Sequence, residues 1–278
     1  MFWAMSPKEL LKNCKEGLMK KFLSAPFIVF ILAGTLIPMC VIAYYGLTDR
    51  TGAFTIQNIL AVGTGDHAKA LGLSLLLSFA ATLICLILAF PLGLILKDSK
   101  LGKKGFMVFL FILPMWMNFV LRTMAWQVLL EKSGPLGFLG IINTPTAVVL
   151  GMVYDYLPFM VLPIYNAMIK IDDSLIEAAY DLGASRSTVL RKVIAPLTIP
   201  GIVSGVTMVF VPSLTTFAIS NMLGGGKVNL IGNIIEQEFT TSSNWNLGSG
   251  LSLVMMIFIV ISMAFIEKFD KNGEGNMI

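Results

Sequence analysis

Six runs of predominantly apolar residues, near 26–47, 70–96, 106–129, 146–169, 197–222 and 247–267, dominate this chain. An α-helix rises 1.5 Å per residue, so each run is long enough to cross about 30 Å of hydrocarbon. A bilayer offers no water to backbone N–H and C=O groups, so runs of this length must be helical, and none alternates as a membrane-barrel strand would. The predicted fold class is all-α: a polytopic membrane protein with six transmembrane helices. Composition agrees, with 56% hydrophobic and 13% charged residues where a soluble domain carries roughly 25% charged.

The basic residues set an expected orientation. Segments 1–25, 97–104, 170–192 and 267–278 hold 15 of the 20 Lys and Arg, and such an excess marks the cytoplasmic side. Both termini are expected to be cytoplasmic. The expected organisation is an N-terminal cytoplasmic segment over 1–25, a six-helix domain over 26–267 that includes a cytoplasmic loop at 170–195, and a tail over 268–278. The first apolar run follows Lys8, Lys12, Lys15, Lys20 and Lys21 and is long enough to stay as an anchor rather than be cleaved as a signal. Prolines interrupt the middle runs at Pro91, Pro114, Pro158, Pro163, Pro200 and Pro212. Each removes a donor and tends to bend its helix, which suits a pathway that opens and closes, although proline is also commoner in membrane helices generally.

Several chemistries lack their residues. His67 is the sole histidine, so neither a zinc site nor a hydrolase triad can be assembled around a pair. No GxxxxGK[ST] loop occurs, and Gly224–Gly226 with Lys227 lie in an external segment that reads as a flexible turn. Cys14, Cys40 and Cys85 form no disulfide framework, and the scattered positive charges form no nucleic-acid patch. No cofactor, metal or catalytic residue is expected; nucleotide hydrolysis and ligand capture would belong to other chains.

The largest internal loop is the most informative segment. It reads as a short helix from Asp172, a glycine turn at Gly183, and a second helix from about Ser187 to Ile194 before Pro196. Ser174 with Glu177 fits a capping box, Gly183 fits the left-handed position that ends a helix, and Ala178 and Ala179 leave room for close approach. On physics alone the loop could merely connect two spans. The string EAAYDLGASRSTVLRKVIAP, however, resembles the EAA loop of bacterial binding-protein-dependent ABC importers. That pattern is Glu-Ala-Ala, three residues, Gly, nine residues, then Ile-x-Leu-Pro. Glu177, Ala178, Ala179, Gly183 and Pro196 match by position, while Val193 and Ala195 replace the isoleucine and leucine.

The resemblance implies the type I fold of ABC importer permeases in a bacterial inner membrane, among membrane lipid. It also implies a coupling role for Glu177, Ala178, Ala179 and Gly183 against a cytoplasmic ATP-binding subunit, present in two copies. The alternative for Glu177 is an intrahelical cap only. Further blocks, ILPMWMNFVLRTMAW (112–126), GMVYDYLPFMVLPIYNA (151–167) and LGGGKVNLIGNIIEQEF (223–239), resemble spermidine/putrescine importer permeases of the PotB type. That resemblance implies a second, PotC-type permease and an external polyamine-binding protein as partners.

A cationic substrate has independent support. Asp155 lies roughly 14 Å along its span, near mid-bilayer, where a carboxylate is costly and usually faces a cavity or a partner. Tyr154 and Tyr156 flank it, and Trp116 is expected at comparable depth on the third span. Carboxylates neutralise ammonium groups, and aromatic faces attract them by about 0.5–2 kcal/mol per contact. These four residues are the expected substrate-pathway set. The competing expectation is that Asp155 pairs with Arg122. Glu236 and Glu238 could line the outer entrance or simply be solvated. A permease for another small solute, or a secondary transporter, remains an alternative.

Overall fold

A computed structural model describes residue 26 and residues 29–98 and 106–275. The expected N-terminal segment 1–25 and most of the 97–104 loop lie outside the described residues. The described residues are predominantly helical, and the sole extended pairing among them is an isolated bridge between Thr48 and Phe54. In order, the helices longer than the single turn at Gln57–Leu60 are α1 (Val29–Gly46), α2 (Gly65–Asp98), α3 (Phe106–Ile112), α4 (Phe119–Leu130), α5 (Pro145–Met168) and α6 (Asp173–Asp181). There follow α7 (Arg186–Leu197), α8 (Ile199–Thr215), α9 (Ala218–Gly224), α10 (Ile231–Thr240) and α11 (Trp245–Gly275).

Four helices, α1, α2, α5 and α11, are each long and apolar enough to cross a membrane unbroken. The remaining two expected spans are broken. The third, expected over 106–129 with a proline interruption at Pro114, bends by 92° between Phe109–Trp116 and Phe119–Leu130. The cause is local: Pro114 sits in a 3₁₀ turn at Leu113–Trp116, and the Asn118 side chain accepts from the Val120 and Leu121 N–H groups, starting a new helix. The fifth bends by 63° where Arg186–Leu197 meets Ile199–Thr215. There the buried Thr198 hydroxyl donates to the Ile194 carbonyl at 2.6 Å ahead of Pro200. The expected fifth span over 197–222 also ends early, because α8 stops at Thr215 and α9 is a separate helix. By contrast Pro91, Pro158, Pro163 and Pro212 lie inside continuous helices.

The core is α5 held between α2 and α8. Residues that α2 buries are mostly small (Ala70, Ser74, Ser78, Ala81, Thr82, Cys85, Ala89 and Gly93), whereas Leu76, Phe79, Leu83, Ile87 and Ile95 point outward. That inversion of a soluble helix follows from the solvent: lipid leaves no reason to hide large apolar groups, so packing selects small residues that let backbones approach. Across α5, Gly201 on α8 sits so close that a Cβ there would lie 2.6 Å from both the Ala167 Cβ and the Pro163 carbonyl oxygen. The far end of α1 is tied by amides from two elements. Asn58 and Asn246 donate from Nδ2 to the Thr48 carbonyl at 2.9 and 2.7 Å, meeting an acceptor that the ending helix leaves free.

Candidate functional site

Two places concentrate the polar residues singled out by the sequence. The first is the segment joining α5 to α8. Met168 ends α5, residues 169–172 form a short link, and α6 begins at Asp173. The cap of α6 is Asp172 and not the expected Ser174: Asp172 Oδ1 accepts from the Ser174 N–H at 2.9 Å. Aspartate can cap as well as serine, and here the helix starts two residues earlier than a cap at Ser174 would allow. The Ser174 backbone and hydroxyl hold the Asp172 carboxyl below its ordinary range.

Gly183 closes α6 with φ +79°, the left-handed conformation expected of it, and no atom lies within 4 Å of where a Cβ would project. A side chain there would be strained by the backbone, not by crowding. The Ala184 N–H returns to the Ala179 carbonyl at 3.0 Å, and the Ser185 hydroxyl caps α7 by accepting from the Thr188 N–H. No residue of α6 is buried. Glu177 and Ala178 are exposed, Ala179 is half-buried, and Leu182 beside the turn is 89% exposed. An amphipathic helix that leaves Leu175, Tyr180 and the adjoining Leu182 exposed is shaped to be covered by something else.

The second place is a buried polar cluster on the inner faces of α4 and α5. Asp155 is 2% exposed and Arg122 6%. Their Oδ1 and Nε atoms lie 3.3 Å apart, and Thr123 donates from its hydroxyl to Asp155 Oδ2 at 3.0 Å. The competing expectation of an Arg122–Asp155 pair is thus what the structure contains. Satisfaction is incomplete: Arg122 Nε and Nη1 and Asp155 Oδ1 make no aligned hydrogen bond. The Arg122 guanidinium lies 6.0 Å from the centre of the Tyr154 ring, which meets the Trp126 ring edge-on at 5.4 Å.

The four expected pathway residues separate. Tyr154, 39% exposed, stands at the edge of this cluster, while Tyr156 turns to the other side of α5, its hydroxyl 3.5 Å from the Pro212 carbonyl oxygen of α8. Trp116 does not join Asp155 as expected. It precedes the 92° break, packs edge-on against Phe109 and is 75% exposed. Trp126 and Thr123 take the neighbouring places, and sequence reasoning missed them. Their signal was spacing, since Arg122, Thr123 and Trp126 share one α4 face at intervals of three and four residues. Among the described residues no group of three or more His, Cys, Asp or Glu could hold a metal ion.

Comparison with known proteins places this architecture. The family described as "Binding-protein-dependent transport system inner membrane component" matches residues 1–272. The spermidine/putrescine transport system permease protein PotB of Haemophilus influenzae is 35% identical over 243 residues, covering 81% of this chain and 85% of that protein. PotB of Escherichia coli K12 is 36% identical over 215 residues, covering 73% and 78%. Among solved structures, a chain of a bacterial ABC transporter involved in import of the acidic polysaccharide alginate superposes with a TM-score of 0.79 at 14% identity. It covers 95% of this chain and 99% of that one.

Proposed function

The chain belongs to the family of binding-protein-dependent transport system inner membrane components, and from that premise we propose that it is the permease subunit of an ATP-driven polyamine importer. The observation that carries the mechanism is the α6–Gly183–α7 segment, whose first helix has no buried residue and which leaves Leu175, Tyr180 and Leu182 exposed. In this reading Glu177, Ala178, Ala179 and Gly183 form the face that meets a cytoplasmic ATP-binding subunit, present in two copies, with the loop and both termini on the cytoplasmic side. Closure of the motor around nucleotide displaces α6, and the spans follow.

A PotC-type permease completes the pathway, and an external binding protein delivers spermidine or putrescine. The identity to two PotB proteins supports the substrate class. Tyr154 and Trp116 offer exposed aromatic faces to an ammonium group, with Tyr156 bracing α5 against α8. Asp155 takes part by exchange: an ammonium group replaces Arg122 as its partner while the pathway is open, because the pair already lacks aligned hydrogen bonds.

The test is uptake of labelled spermidine and putrescine by the complete importer in proteoliposomes, with ATP hydrolysis measured in parallel. Gly183→Val is expected to leave hydrolysis running while uptake collapses. Coupled transport in that variant removes the docking assignment, and uptake that no polyamine competes for removes the substrate assignment. Labelling of Ser185→Cys from outside intact cells would invert the orientation.

A further inference from the structure

Among the described residues, the charged side chains that are buried are Arg122, Asp155 and Lys97. The first two form the pair described above. Lys97 lies elsewhere, in the last turn of α2, at the end of the molecule that carries the α6 segment. Its side chain is 9% exposed, and Nζ lies 3.5 Å from the Ile171 carbonyl oxygen and 3.5 Å from Asp173 Oδ1. Both partners belong to the segment between α5 and α8: Ile171 to the link and Asp173 to the first turn of α6.

A buried ammonium is expensive unless it is paired, and an apolar residue would fill the end of α2 at no such cost. The helix ends give part of the reason for these charges, since a cation suits the last turn of α2 and an anion the first turn of α6. Such terminal effects need neither burial nor contact between the two. The surroundings give the contact a mechanical consequence. One turn before Lys97, α2 and α5 pack tightly: a Cβ at Gly93 would lie 3.1 Å from Met168 Sδ and 3.2 Å from Ile164 Cγ2. On its other side the link borders a cleft of about 500 Å³ lined in part by Asn166, Lys170, Leu175, Pro200 and Ser204. The start of α6 is therefore open toward α8 and tethered toward α2.

We propose that Lys97 is a positioning residue that latches the start of α6 to the end of α2, so that displacement of α6 moves the second span as well as the fourth. The inference rests on the reading of α6 as the helix that meets the ATP-binding subunit. Without the latch, α6 would pull on α5 through the four-residue link and α2 would follow only through side-chain packing. With it, α2 receives the same displacement through a charged contact at its own terminus.

The experiment uses the complete importer in proteoliposomes and reads the ratio of polyamine taken up to ATP hydrolysed. Lys97→Met, which keeps the apolar stem and removes the charge, is expected to assemble and to lower that ratio by about two- to thirtyfold, the span that residues along a coupling network impose. Lys97→Arg, which restores a cation, is expected to recover most of it. A merely structural lysine would change the yield of complex and leave the ratio alone, and that result overturns the proposal. If Lys97→Met does not assemble, Asp173→Asn decides by the same ratio, since its side chain is 63% exposed and tolerates the change. Gly183→Val is the reference: if it uncouples while both latch variants stay coupled, the latch is wrong and the docking reading stands. If it too stays coupled, the docking reading has failed and takes the latch with it.

Discussion

Asp155→Asn removes one charge from a pair whose atoms are 3.3 Å apart and whose side chains are 5% and 2% exposed. At an effective dielectric of about 20 the gross attraction at that separation is about 5 kcal/mol, much of it spent on having taken both groups out of water. The single substitution forfeits the attraction but leaves Arg122 buried, charged and alone, a situation that costs about 3–5 kcal/mol. Arg122→Met leaves Asp155 with only the Thr123 hydroxyl and should cost a similar amount. The two together remove both charges and are expected to return to within about 1 kcal/mol of the parent protein, because a desolvated pair and an uncharged, well-packed replacement are often near equal. The assay is a double-mutant cycle on unfolding of the purified importer in detergent, with uptake measured on each variant. Single effects that simply add, within about 0.5 kcal/mol, would show that the two residues are not coupled and refute the reasoning. The uptake arm asks a separate question. A stable double variant that transports like the parent takes Asp155 out of the pathway, whereas a stable but inactive one keeps it there.

Other consequences follow from single positions. Gly201→Ala should destabilise the α5–α8 contact by about 1–3 kcal/mol, and Gly205→Ala by less. The first meets the Ala167 Cβ and the Pro163 carbonyl at 2.6 Å, the second a side-chain sulfur of Met160 at 2.7 Å with the Met160 carbonyl no nearer than 3.2 Å; thermal unfolding midpoints compare them. Asn233→Leu strands the Phe217 carbonyl and Asn221 side chain that its amide serves at 3.0 and 2.6 Å. It should cost about 1–3 kcal/mol and loosen α9 against α10 in hydrogen exchange. Asn118→Ala removes the cap that starts α4 and should cost about 1 kcal/mol, read as lost protection of the Val120 and Leu121 amides. Because the Asp172 carboxyl is held below its ordinary range, its cap is in place above about pH 4 and is lost as pH falls through the lowered value. Protection of the Ser174 amide, corrected for intrinsic exchange, should fall in that acid window, and in Asp172→Ala it should already be low at neutral pH.

The number and kind of apolar runs, the helical class, the glycine turn at Gly183 and the family carried by the EAA string were all legible in the sequence, for one physical reason. Each depends on residues close together in the chain, whether as a length of apolar helix, a position that needs φ above zero, or a contiguous motif. Where helices break was only half legible. Six prolines were visible, yet the two bends fall where Pro114 and Pro200 coincide with a second device, the Asn118 cap and the Thr198 back-bond. Proline alone left α2 and α5 continuous, because a span can lose one internal hydrogen bond while its neighbours hold it in place.

The sequence did not settle the partner of either the buried carboxylate or the buried ammonium group. Asp155 could have met Arg122 or a cavity, and Lys97 read as one cation among several in a basic loop. Tertiary packing decided both, by bringing α4 onto α5 and the end of α2 onto the link after Met168. A charge in a low-dielectric interior is governed by what lies within about 4 Å of it. That distance spans 33 positions of the chain in one case and 76 in the other.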